Sequence, residues 1–236
     1  MTAGRRRQAS NAAVDETIPA PEGKRLSEIA YSAILEGLFA RKVPAGAFVS
    51  QNDLVQLLGI PVQPLRDALR VLEAEGVLTI HPRSGIQFLK PDFEFARSTY
   101  QFRSIIERAA ARAYAETGDA GETTELLAAH RALIADIEKQ GLTPAMAERL
   151  EGIEQRFHGA MIACLRNPLI ETTARRLKNY VTLIRLERLI TQPLALRTLN
   201  EHIEVLNACV DRDGDRAEAA LAAHFQAALQ RILGMF

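Results

Sequence analysis

Tryptophan is absent, and the 236 residues include only two cysteines, Cys164 and Cys209. Two cysteines build neither a disulfide framework nor a cysteine-based zinc site, and they suit a reducing, cytoplasmic setting. No apolar run of about 18 residues occurs, so no segment is expected to span a membrane. Arg5, Arg6 and Arg7 are not followed by an apolar stretch, unlike the start of a secretory signal. Charge of either sign is also lacking in excess: 29 basic side chains face 29 acidic ones. Residues 1–90 carry 11 basic and 9 acidic groups, the remainder 18 and 20. So small an asymmetry does not announce nucleic-acid binding, and a case for DNA must rest on motif and placement. What is present, 47% apolar and 25% charged residues, excludes a collagen-like or largely disordered chain, and the length suffices for two cores.

Residues 1–23 mix small, polar and proline residues without periodicity and read as a mobile tail. From Lys24 the pattern is helical: Leu26, Ile29, Ala30, Ile34, Leu35 and Leu38 share one face, and the helix is expected to end near Arg41. Ser50 with Asp53 reads as an N-cap and its acidic third position, opening a helix with Leu54, Leu57 and Leu58 inside and Gly59 at its end. Pro64 suits the first position of the next helix, which places Leu65, Ala68, Leu69 and Leu72 inward and stops at Gly76. VLTIH and IQFL around Pro82-Arg83-Ser84-Gly85 read as a hairpin. This order, over residues 24–90, is that of a winged helix-turn-helix. Residues 91–236 show no strand pattern but six helical stretches, near 93–117, 121–140, 144–166, 168–190, 196–211 and 215–233. The fold class is therefore mainly α: a winged helix-turn-helix with a small hairpin, then an all-α bundle of about six helices.

The segment from Asn52 to Leu89, with its L-R-x-A-L-x-x-L-x-x-E-G run and glycine-containing wing, resembles the GntR family of bacterial transcription regulators. The resemblance implies that the protein binds operator DNA. Arg66, in the first turn of the recognition helix, is placed to enter the major groove and hold the two acceptors of a guanine edge. Arg70, one turn later, suits a phosphate; in the wing Arg83 can reach phosphate or the minor groove, and Gly85 permits close backbone approach. Family members commonly have Ser-Arg-Thr where this chain has Pro61, Val62 and Gln63, and an Arg where Asn52 stands. The operator is therefore expected to differ from the family's usual site, with Gln63 and Asn52 reading adenine edges.

In the helical part Glu154 and His158 are four residues apart and project from one face of a helix. His202 and His224 each lie 11 residues from Asp213. If Asp213 sits in the turn of a helical hairpin, both are about 16 Å from it and side by side. Asp215 with Glu218 reads as the N-cap pair of the last helix. One carboxylate and three imidazoles suit a divalent metal: Zn²⁺ first, with Ni²⁺ or Mn²⁺ as alternatives. EQRFH, Glu201-His202, Gly214-Asp215 and the late Ala-His at His224 resemble the FCD domain of the FadR-like branch of these regulators. In metal-binding members an acid and three histidines at these places are the ligands, which here implies Glu154, His158, His202 and His224. The usual acid is Asp, one methylene shorter. The resemblance also points Arg103 at the carboxylate of an effector; the plainer reading is an ion pair with Glu107 one turn away. His81 and His130 read as surface or structural residues.

The function this supports is a metabolite-responsive repressor, a homodimer on operator DNA, sensing a small organic acid at a metal inside the helical domain. A metal-dependent enzyme acting on a small carboxylic acid is the alternative, since such a site can activate water, but no spare base or nucleophile motif accompanies it. An interaction module with a structural metal is the third.

Overall fold

The computed structural model describes residues 25–186, 188–232 and 234; the tail expected over residues 1–23 lies outside them. The chain divides after Leu89 into two units. In the first, α1 (Leu26–Phe39) and α2 (Gln51–Leu58) precede α3 (Val62–Ala74), with strands β1 (Phe48–Val49), β2 (Leu78–His81) and β3 (Gly85–Phe88). The capping box forms as the sequence suggests. Ser50 Oγ accepts from the Asp53 amide at 3.1 Å, and Asp53 Oδ2 accepts from the Ser50 amide at 2.9 Å. Gly59 closes α2 in the left-handed conformation. Three features differ from expectation, the first being that Leu57 is 48% exposed rather than inside. Recognition helix α3 begins at Val62, two residues before Pro64. A proline is tolerated there because the first turn has no intrahelical acceptor for its missing N–H. The wing is a three-stranded antiparallel sheet in the order β1-β3-β2, because Phe48 and Val49 pair with Gln87 and Ile86. Two residues are too short a run for alternation to reveal.

β1 also explains Gly85. Its φ is +150°, and a Cβ there would sit 2.8 Å from both the Val49 carbonyl oxygen and the Phe48 ring. The close approach that requires glycine here is internal to the wing. Leu65, Leu69 and Leu72 of α3 are buried with Ile34 and Leu38 of α1 and Phe88 of β3.

The second unit consists, among the described residues, of α4 (Phe93–Thr117), α5 (Ala120–Gln140), α6 (Pro144–Cys164), α7 (Pro168–Arg185), α8 (Gln192–Val210) and α9 (Gly214–Ile232). α7 ends at Arg185, five residues earlier than the periodicity suggests, and α8 starts at Gln192 with Pro193 in its first turn. α4 packs against α6, α7, α8 and α9, while α5 packs against α6 and α8. Tyr100, Tyr114, Phe157, Leu206, Leu221 and Phe225 form the center of the core. Asp213, not Asp215, caps α9, its Oδ1 accepting from the Arg216 amide at 2.9 Å. Asp215 and Glu218 instead meet Arg112 of α4 at 2.7 and 3.3 Å. Gly214 is buried at this crossing, where a Cβ would lie 2.7 Å from Glu116 Oε1.

Candidate functional site

His158 of α6, His202 of α8 and His224 of α9 converge. Their ring centroids are 4.7 Å apart for His202 and His224, 5.4 Å for His158 and His202, and 5.8 Å for His158 and His224. One potential ligand nitrogen from each lies within 4.8 Å of the others. The α8–α9 hairpin brings His202 and His224 to one level, as their equal distance from Asp213 requires. Phe157 lies nearly parallel to the His202 ring at 4.0 Å and 8° and is itself fully buried.

Hydrogen bonds assign the proton on each ring. His130 Nδ1 lies 2.7 Å from the Leu126 carbonyl oxygen, which can only accept, so Nδ1 carries the proton. Neutral His130 then presents a bare Nε2, 3.2 Å from His202 Nδ1, which must donate to it. His202 Nε2 is left with its lone pair, buried and without a partner. His224 Nδ1 donates to Glu201 Oε2 at 2.8 Å, which likewise leaves its Nε2 bare. His158 Nδ1 lies 2.6 Å from Glu107 Oε2, a close contact whose alignment falls short of a directed hydrogen bond. Metal-bound histidines are oriented in this way, the second nitrogen tied to a carboxylate or carbonyl so that the first faces the ion.

Electrostatics keep the donors neutral. Burial pushes His158, His224 and His130 below the ordinary imidazole range, and His202 well below it. The carboxylates around them are ionised. Burial acts to raise Glu107, but the Arg103 guanidinium and His158 outweigh it and hold the group at about 2. Hydrogen bonds from His224 and Arg231 do the same for Glu201, also at about 2. Three neutral imidazoles, among them the orphaned, buried Nε2 of His202, fit a borderline divalent cation such as Zn²⁺, whose sites commonly combine histidines with a further ligand.

Glu154 is not one of the three convergent donors. It lies one turn before His158, its side chain 12% exposed, with Oε2 2.6 Å from Arg185 Nη1, and Arg185 overcomes the desolvation penalty to lower its pKa. Arg103 is also placed differently from the expectation of a cavity-facing cation. It is 7% exposed, its Nε and Nη2 donate to Glu107 at 2.7 and 3.3 Å, and its guanidinium lies 5.0 Å from the Phe225 ring center. The short-range ion pair is therefore present, and it backs His158. Beside Glu154 is a cavity of about 130 Å³, lined by Tyr100, Arg185, Arg188, Thr198, Arg231 and apolar residues including Leu150, Leu194 and Ala228. His130, Arg185 and Arg231 are participants that sequence spacing does not reveal. Glu107 was marked as the partner of Arg103 one turn away, and Glu201 by the motif directly before His202.

The candidate DNA-facing residues lie on the first unit. Asn52 of α2, Gln63, Arg66 and Arg70 of α3, and Arg83 of the wing are exposed. Arg66 Nε donates to Gln51 Oε1 at 3.1 Å, and the Gln63 amide to Asp67 Oδ1 at 3.2 Å. Arg70 is 3.9 Å from Asp67 with its side chain 75% exposed. Arg83 takes a φ of +63° at the wing turn.

Residues 26–88 match the model of the bacterial regulatory proteins of the gntR family, and residues 98–227, more than half of the chain, match that of the FCD domain. Among curated relatives, an uncharacterized HTH-type transcriptional regulator of Bacillus subtilis (strain 168), YdhC, is 20% identical over 195 residues, covering 83% of this chain and 85% of that protein. The Nta operon transcriptional regulator of Aminobacter aminovorans is 24% identical over 188 residues, covering 80% and 85%. In fold the chain is similar to E. coli McbR/YncC, with a TM-score of 0.73 at 17% identity over 89% of this chain and 98% of that one. A GntR transcriptional regulator from Rhodococcus sp. RHA1 gives 0.67 at 20% identity, over 89% and 97%.

Proposed function

Since the chain belongs to the GntR family of bacterial transcription regulators and carries its FCD domain, we propose that it is a cytoplasmic repressor that senses a small organic acid at a divalent metal in the bundle. These families and relatives are transcription regulators rather than enzymes. The observation that carries the sensing reading is the buried, unpartnered Nε2 of His202 among three neutral imidazoles.

His158, His202 and His224 would hold the ion, with Glu154 as the fourth protein ligand once it shares its carboxylate between Arg185 and the metal. A divalent ion so bound supplies a Lewis-acid position for a carboxylate. The chain's own part is to keep that position oriented and shielded. Arg103 holds Glu107, which faces His158; Arg231 holds Glu201, which faces His224; the Leu126 carbonyl acts through His130 on His202. The effector would enter the cavity beside Glu154. This assigns Arg103 to positioning Glu107 and gives effector contact to the cavity arginines. Binding changes operator affinity only as far as the effector prefers one arrangement of the protein over another.

On DNA, Arg66 would release Gln51 to hold a guanine edge, while Gln63 and Asn52 read adenine and Arg70 and Arg83 meet phosphate. A homodimer on a two-fold operator doubles the few base pairs that one recognition helix reads. Exposed Phe102 and Ile105, one turn apart on α4, favour the bundle as the dimer surface. The test is elemental analysis of protein purified without chelators, together with operator binding by the metal-loaded and metal-free forms. One equivalent of divalent metal in wild type, absent from the His202→Ala/His224→Ala double variant, is expected. Metal-free wild type, or full metal in the double variant, overturns the site. Metal whose removal unfolds the bundle without altering any ligand response would make it structural.

A further inference from the structure

The carboxylates around the histidine cluster are already matched by cations. Glu107 pairs with Arg103 at 2.7 Å, Glu154 with Arg185 at 2.6 Å, and Glu201 with Arg231 at 2.6 Å. Metal-binding histidines are neutral, so among the described residues these three acids and three guanidinium groups cancel. The site therefore holds no negative charge in reserve, and a divalent cation would leave it with two uncompensated positive charges in the protein interior. Uncompensated charge is costly there, because protein dipoles replace its hydration only in part.

The cavity repeats the imbalance. Among the described residues Glu154 is its one acidic lining residue, against Arg185, Arg188 and Arg231. Arg185 and Arg231 are the cations already used by Glu154 and Glu201. Arg188 is different: its Nη1 and Nη2 donate to the backbone carbonyl oxygens of Arg231 and Ile232 at the end of α9. Those acceptors are neutral, so among the described residues no carboxylate balances its charge. The apolar lining of the cavity includes Leu150, Leu194 and Ala228. The cavity thus combines cationic side chains with apolar wall, and Glu154 links it to the helix that carries His158.

We infer that the effector is a dianion, a short aliphatic dicarboxylate with one carboxylate directed to the metal and the other to Arg188 in the cavity wall. The inference rests on the metal-sensing reading above and sharpens it to a charge class. A monocarboxylate would leave both the site and Arg188 short of negative charge. A longer apolar acid would gain wall contact but forfeit Arg188. Arg188 then acts as the specificity determinant, and its planar guanidinium suits a carboxylate while the α9 carbonyls hold it in place.

The experiment is calorimetric titration of the Zn²⁺-loaded full chain with malonate, succinate, glutarate and adipate, and with propionate, butyrate, valerate and caproate as their monoacid counterparts. The best diacid is expected to bind at least about tenfold tighter than the monoacid of equal length. Arg188→Met should erase that preference with little change in monoacid affinity, while Arg188→Lys, which keeps the charge, should retain much of it. Thermal melting of both variants before ligand addition checks that the end of α9 is intact. Equal affinity for mono- and diacids, no diacid binding, or an undiminished preference in a folded Arg188→Met variant overturns the inference. Monoacids that bind as tightly as diacids, and only when zinc is present, would leave the sensing reading standing while the dianion falls. A wild type that takes up no zinc would bring down the sensing reading itself.

Discussion

In the winged-helix unit the residues with chemistry to offer lie at the surface, and the interior is apolar. Arg66, Arg70, Gln63 and Asn52 are exposed above buried Leu65, Leu69 and Leu72. In the bundle the arrangement is reversed: His130 and His202 are fully buried, His224 is 2% exposed and Glu107 5%. Stability and function are therefore separable in the first unit and merged in the second. An exposed arginine can be exchanged without disturbing the leucines beneath it. A buried imidazole cannot, because its partner is then left unpaired in a low-dielectric interior.

The largest expected effect that tests this contrast is at Phe157. Phe157→Ala removes a fully buried ring that stacks on His202. It should destabilise the bundle by about 3–5 kcal/mol and lower metal retention as well, read by denaturant unfolding and elemental analysis. Loss of stability with intact metal content would show that core and site are independent after all.

Acid should separate the units next. The buried histidines of the bundle have pKa values lowered by burial, so the unfolded chain binds protons that the folded one refuses. Their contribution is fully present above about pH 6.5 and is lost as pH falls below it. Each histidine adds a slope of about 1.4 kcal/mol per pH unit over the range where only the unfolded chain is protonated. Glu107 and Glu201, held at about 2, contribute stability that is present above about pH 4.5 and lost on further acidification. Urea midpoints of the metal-free protein should therefore drop steeply below pH 6.5, with the bundle unfolding first. Parallel loss of both units, followed by separate spectroscopic probes, would remove the distinction.

A smaller effect is expected at His130. His130→Leu deletes the acceptor that holds the His202 Nδ1 proton and should weaken metal binding about 10–100-fold in chelator competition. His130→Gln, which can still accept through its amide oxygen, should stay closer to wild type. Equal loss in both variants would reduce His130 to packing.

At the surface, Arg66→Ala should cost about 1–3 kcal/mol in operator affinity at constant salt while changing folding stability by no more than about 0.5 kcal/mol. A matching loss in both measurements would break the separation claimed for the winged unit.

Much of the architecture was legible without coordinates because it depends on neighbours in the chain. The Ser50/Asp53 capping box, the left-handed stop at Gly59 and the six periodic stretches of the bundle are all local patterns, and local hydrogen bonding and amphipathicity decide them. The pairing of His202 with His224 was legible for the same reason, since both are equally far from one tight turn. β1 was not, because two residues become a strand only when β3 lies beside them. Nor was the cap of α9, expected at Asp215, which Arg112 of α4 takes while Asp213 caps the helix.

The sequence alone determined which residue types were available to a metal or to DNA, and on which helices they lie. Tertiary packing decided what each of them does. His130, spaced like any helix residue, becomes the acceptor for His202 because α5 packs on α8. Arg103 turns from a cavity-facing cation into the support of Glu107 because both are buried, where an ion pair one turn apart is not screened by water. Glu154 meets Arg185 of α7 before it can meet a metal. Periodicity carries the geometry of one helix. The protonation and partners of a buried group depend on the four or five other helices around it, and those are set only when the bundle closes.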